Sequence, residues 1–211
     1  MVLLPEKSRD ALVKLAAYAA FAGAGVSLLN AVLTFAFTRA LRDPSNAALE
    51  PIFQALHGIS FAASWGLLVL VGVGLYRIAR PPTSVSKIGL AMAIIGVTVV
   101  VLSTLVNVAT AGIAIDLRLP QVTEAGQVVV ALWLVLANSE LRRRGVLSRW
   151  LTSTGIVFGV GVAWTSIGLW LGNPRFLGIS LNLLVPFGFL IWQPWLGIAL
   201  LRPLPVTDVE T

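Results

Sequence analysis

The stretch IGLAMAIIGVTVVVLSTLVNVATAGIAI, residues 88–115, carries no charged side chain from end to end. An α-helix rises 1.5 Å per residue, so about 20 apolar residues cross the ~30 Å hydrocarbon core of a bilayer, and this stretch is long enough to do so. Outward from it, apolar runs bounded by charge, proline or polar clusters recur on both sides. They predict six spans at about 15–38, 53–78, 88–115, 124–141, 150–171 and 176–201. The expected fold class is all-α: one polytopic domain, a bundle of six transmembrane helices. Of the 211 residues, 57% are hydrophobic and 11% charged, against about a quarter charged in an ordinary soluble domain. That leaves no length for a soluble catalytic domain. Lys7, Arg9 and Lys14 precede the first run, but it is too long for a signal peptide and more spans follow, so it reads as a retained helix.

Direction follows from lysine and arginine in the short loops. One side of the predicted bundle holds Lys7, Arg9, Lys14, Arg77, Arg80, Lys87, Arg142, Arg143, Arg144, Arg149 and Arg202, and the other holds Arg39, Arg42, Arg118 and Arg175. Both termini are therefore expected to be cytoplasmic. Trp150 and Trp195 near inner ends, and Trp170 near an outer end, suit interfacial anchoring. The loops are short, so consecutive helices are expected to pack antiparallel. Arg142, Arg143, Arg144 and Arg149 gather in one inner loop and are expected to hold anionic lipid head groups. In such a chain the net charge of +6 serves topology and lipid contact, and no nucleic-acid partner is expected. Gly155 and Gly159, with Gly168 and Gly172 behind them, form small-xxx-small pairs that let helix backbones approach. They are read as contacts within the bundle.

Several chemistries are excluded by what is missing. There is no cysteine, so there is no disulfide, thiolate nucleophile or iron–sulfur ligation. His57 is the one histidine and lies ~20 Å in helix rise from Met92 along the membrane normal, so one chain cannot supply both to a haem. No His/Asp/Glu cluster falls within the spans, no lysine sits where a retinal would need it, and the acids and bases for hydrolysis are not gathered. Neither a cofactor nor a metal is expected.

The polar residues inside the spans are distributed unevenly. Asn30, Gln54, His57, Asn107, Gln127 and Asn182 fall near the predicted outer ends, with Thr165 and Ser166 at similar depth, whereas Asn138 and Gln193 do not. If they converge, Asn30, His57, Asn107, Gln127, Thr165 and Asn182 line an outward-facing cavity of neutral hydrogen-bonding groups that suits an uncharged or amphipathic ligand. The alternative is that amides simply tolerate wet helix ends. In the last run, LNLLVPFGFLIWQPWLG (181–197), Pro186 and Pro194 each remove a backbone N–H and clash with the carbonyl four residues earlier. That run is expected to bend twice, as a static kink or as a hinge, with the freed carbonyls turned into the bundle.

The stretches ELRRRGVLSRWLTSTGIVFGV (140–160) and IWQPWLGIALLRP (191–203) resemble a pattern in a family of uncharacterised bacterial multi-pass inner-membrane proteins, a domain of unknown function. There a basic residue and short turn lead into Leu-Pro-Arg-Trp-Leu-Gly and a glycine-rich helix, and the final helix ends in Gly-x-x-Leu. Here Ser148 stands for the proline and Thr152 for the glycine. The resemblance implies a bacterial inner-membrane helical bundle and supplies no activity. Two functions remain open: a small non-enzymatic membrane protein that binds, senses or passes an uncharged or lipophilic ligand, or an accessory subunit of a larger membrane complex. A lipid-modifying enzyme is the third class and has the fewest residues to support it.

Overall fold

A computed structural model describes residues 6–40, 48–79, 81–110, 119–172 and 188–202, and every regular element among them is helical. Helices α1 (Glu6–Ala40), α2 (Glu50–Ile78), α3 (Ser84–Ala109), α4 (Leu119–Arg143) and α5 (Arg149–Trp170) are followed by a π turn (Gly188–Trp192) that runs directly into α6 (Gln193–Leu201). Helices α1 to α5 are each long and apolar enough to cross a membrane, and the π turn with α6 makes a shorter apolar helix. The described residues thus form an all-helical bundle with five helices of membrane-spanning length and composition. Most helices overrun the apolar runs that predict them, because a polar or charged turn in water can continue a helix whose carbonyls still find their partners. Thus α4 takes in Arg142 and Arg143, and α3 takes in Ser84 to Lys87. The described part of α3 ends earlier than its run, at Ala109, with a turn at Thr110. The first part of the sixth run, with Asn182 and Pro186, lies outside the described residues.

Helices α1 to α5 pack each on the next in chain order, the π turn packs on α5, and α6 packs back on α1, so the helices close a ring. Small residues set the approaches. Ala16, Ala17 and Ala20 are fully buried on α1. A Cβ on Gly74 of α2 would collide with Ala16, and one on Gly197 of α6 would lie 3.1 Å from the Ala17 carbonyl oxygen. Gly96 and Gly126 bring α3 and α4 backbone to backbone, each hypothetical Cβ lying 2.9–3.0 Å from the other's carbonyl oxygen. Meanwhile Leu28, Leu29, Val32 and Phe35 on α1 are exposed. That distribution reverses the soluble pattern and suits lipid, where close backbone approach rather than burial of bulky side chains joins helices.

Gly155 and Gly159 meet α4, the first against Asn138 and the second 2.9 Å from the Ala131 carbonyl oxygen. The pair is therefore an internal seam. The second expected pair is corrected. Gly168 is buried in α5, but Gly172 lies beyond the helix with φ +63, its N–H donating to the Leu169 carbonyl at 3.0 Å. It stops the helix, as a left-handed glycine does.

Candidate functional site

The two ends of the bundle differ in how their polar residues are used. At the end where α2 and α4 begin and α3 and α5 finish, four helices surround a partly open cavity of about 580 Å³. Among the described residues, α2 contributes Gln54, His57, Phe61 and Trp65, α3 Thr104, Asn107 and Val108, α4 Thr123, Glu124 and Gln127, and α5 Val162, Thr165 and Leu169. The volume lies within the ~300–1,000 Å³ range of small-molecule sites.

Helical spacing explains the lining. His57, Phe61 and Trp65 recur every four residues and so share one face of α2. Their rings follow one another at 6.2 and 5.7 Å between centroids. Trp65 lies ~22 Å along α2 from its start by helix rise, near mid-helix, and forms the inner limit of the cavity. Beyond it the aromatic contacts continue through Phe189 at 5.9 Å to Phe158 at 5.0 Å and Trp192 at 5.7 Å. A string of rings thus joins the cavity to the π turn.

Some lining groups are already bonded between helices. Ser166 donates to Oε1 of Gln127 at 2.8 Å, tying α5 to α4, and the Ser103 and Thr123 hydroxyls meet at 2.7 Å, tying α3 to α4. The Thr165 hydroxyl turns back to the Gly161 carbonyl at 2.8 Å. His57 Nδ1 lies 3.1 Å from the Thr34 hydroxyl, which donates to the Asn30 carbonyl at 2.8 Å. Both bonds form together only when Nδ1 carries the hydrogen, so the neutral ring keeps Nε2 as an acceptor. Among the described residues, neither the Asn107 side chain nor the Glu124 carboxylate takes part in a hydrogen bond or ion pair, and both line the cavity.

Of the residues expected to form the site, His57, Asn107, Gln127 and Thr165 line this one cavity. Asn30 does not; it stands behind His57, its Oδ1 accepting from Ser60 at 2.8 Å across the α1–α2 seam. Asn182 lies outside the described residues. Glu124, Phe61 and Trp65 were not expected. The signal for them was periodicity: Glu124 precedes Gln127 by three residues, and Phe61 and Trp65 follow His57 at four and eight. The expectation of a wholly neutral lining is corrected by Glu124, which a helical turn brings to the same face as Gln127.

The opposite end is closed by charge. Glu140 is 5% exposed and accepts from both Arg143 Nη2 and Arg144 Nε at 2.6 Å, and Thr83 donates to it at 3.3 Å. Arg144 also donates to the Pro81 carbonyl at 2.8 Å, so it clasps the α2–α3 connection to the end of α4. Of the four arginines expected to meet lipid, Arg144 is thus largely occupied within the protein. Arg142, Arg143 and Arg149 are exposed, with Arg142 bonded to Ser153 at 3.1 Å. The helix termini here are capped: Thr83 accepts from Ser86 N–H, Ser148 from Leu151 N–H, and Gly145 (φ +66) completes a Schellman turn through Val146 N–H to the Leu141 carbonyl at 3.2 Å.

Pro194 sits in the first turn of α6, and the chain meets it with the π turn rather than with a simple bend. A wider turn is one way for a helix to absorb a missing N–H and a ring clash. Trp192 and Gln193 beside it are fully buried, and Gln193 lies against Gly23 of α1, where a Cβ would come 2.6 Å from its Oε1. Among the described residues, the Gln193 amide and Trp192 Nε1 have no hydrogen-bond partner.

Compared with models of protein families, with curated proteins and with solved structures, the chain matches none.

Proposed function

We propose that this chain is a small non-enzymatic membrane protein of six spans, with both termini cytoplasmic, that binds an amphipathic or lipophilic small molecule in its four-helix cavity. The observation that carries this reading is the cavity itself: polar side chains from four helices, spaced at helical intervals, face one volume of about 580 Å³ instead of being dispersed around wet helix ends. The excess of lysine and arginine at the opposite end supports an outward-facing cavity. The resemblance of residues 140–160 and 191–203 supports a place in a bacterial inner membrane. Sensing and passage are both compatible with such a site, since each begins with binding.

Native mass spectrometry of the detergent-purified chain tests the proposal. A small molecule or single lipid is expected to remain on the monodisperse protein and to be lost in Val108→Phe, which fills the lining from a partly buried position. If retention is equal in the variant, the cavity is not the site. If the chain aggregates whenever it is purified alone, an accessory subunit of a larger membrane complex becomes the better reading.

A further inference from the structure

Resting on the proposed cavity, the geometry points to the chemical class of its occupant: a monovalent organic cation with an apolar or aromatic body, its ammonium group at Glu124 and its body against Phe61 and Trp65. Three observations combine. Among the described lining residues Glu124 is the only acidic side chain, and none is a lysine or arginine. Arg39, the one described lysine or arginine at this end, lies at the end of α1 outside the lining. Glu124 is also without a hydrogen bond or ion pair among the described residues, although Glu140 at the other end holds two arginines.

A carboxylate held partly out of water beside low-dielectric walls favours a counter-cation there more than one in bulk solvent. The neighbouring acceptors agree. His57 with Nδ1 turned to Thr34 keeps Nε2 as an acceptor, and the Asn107 side-chain carbonyl has no partner among the described residues, whereas an ammonium brings donors only. Deeper in, the ring faces of Phe61 and Trp65 accept an apolar body and attract positive charge through their quadrupoles. An anion would meet Glu124 with no compensating lysine or arginine among the described lining residues, and a fully apolar ligand would leave the carboxylate covered and unpaired.

The test uses three water-soluble probes that share one phenylbutyl body and differ in the charge of the head: phenylbutylamine, phenylbutanol and phenylbutyrate. The full chain is reconstituted in nanodiscs of zwitterionic lipid, binding is measured by equilibrium dialysis, and uptake by empty nanodiscs is subtracted. The amine is expected to bind about tenfold more tightly than the alcohol, or ~1.4 kcal/mol, with the carboxylate weakest. In Glu124→Gln that gap is expected to close while alcohol binding persists, which also shows that the variant is folded; Glu124→Asp is expected to retain most of the gap. Saturable binding of amine and alcohol with equal affinity, or tightest binding of the carboxylate, overturns the assignment of charge but leaves the cavity standing. A gap that survives in Glu124→Gln overturns the role of Glu124. No saturable binding of any probe overturns the cavity reading along with it.

Discussion

The two ends of this bundle are built from similar helices and reach opposite states. At the arginine end a buried carboxylate holds two guanidinium groups, two hydroxyls and a Schellman turn cap the helices, and the gap between α2, α3 and α4 is only about 20 Å³. At the other end hydroxyls and amides join the helices in pairs, yet among the described residues a carboxylate and an amide have no partner and about 580 Å³ stays open. Closure follows from pairing. Where Glu140 and Arg144 tie α4 to Thr83 and Pro81 the helices converge, and where Glu124 and Asn107 have no partner among the described residues, space remains for something else to supply one.

The contrast is broken most strongly by Glu140→Gln. It leaves Arg144, only 20% exposed, without its anion and loosens the clasp on Pro81. Because Arg143 is 73% exposed and contributes little, the loss is expected at the low end for a broken buried pair, about 3 kcal/mol. Thermal unfolding in detergent checks it, and a loss below about 1 kcal/mol would mean that water already serves Arg144.

Adding bulk at each end sharpens the comparison further. Ala93→Leu, in the tight half where Ala93 is fully buried beside Gly72, is expected to cost about 1–3 kcal/mol by overpacking. Val108→Phe enters the cavity and is expected to cost less than about 1 kcal/mol despite its larger added volume. Equal costs in the same unfolding assay would contradict the difference in packing.

Arg149→Gln removes an exposed charge that no ion pair holds among the described residues. It is expected to weaken retention of anionic lipid by about 1 kcal/mol, read by native mass spectrometry with defined lipid mixtures, while the fold stays intact. Combining it with Arg144→Gln would confuse lipid contact with the Glu140 clasp. The smallest effect is expected from Ser166→Ala, which removes the bond to Gln127 for about 0.6 kcal/mol, the mean for interhelical hydrogen bonds in a membrane. A loss several times larger would show that the seam between α4 and α5 is closer in kind to the arginine end.

The helices were legible in the sequence because lipid demands long uncharged runs, and α2, α3 and α5 fall where such runs lie. The faces of the helices were less legible. In water a buried stripe announces itself by hydrophobicity, but lipid is as apolar as the interior, so Leu28 and Leu29 give no sign that they face outward or Ala16 and Ala20 that they face in. His57, Asn107, Gln127 and Thr165 could be placed by depth alone. That Asn30 stands behind His57, and that Glu124 enters the lining, depends on rotation about the helix axes, which the apolar pattern leaves undefined. The π turn was half legible: Pro194 signals a defect in the helix, while its form depends on Gly188, where a Cβ would collide with the Phe158 ring.

The ring of helices also has a meaning in time. At a synthesis rate of about 5–20 residues per second, α6 leaves the ribosome some ten to thirty seconds after α1. Throughout that interval the alanine-rich face of α1, with Gly23 and Gly197's future contact at Ala17, faces the bilayer with its second neighbour not yet made. Helix α6 must then enter beside it carrying Gln193, whose buried amide has no partner among the described residues. The newborn bundle is therefore an open arc that α6 closes. Insertion factors or lipids that shelter α1 would act in that window, and variants at Gly23 or Gly197 would be felt first as slow or incomplete assembly.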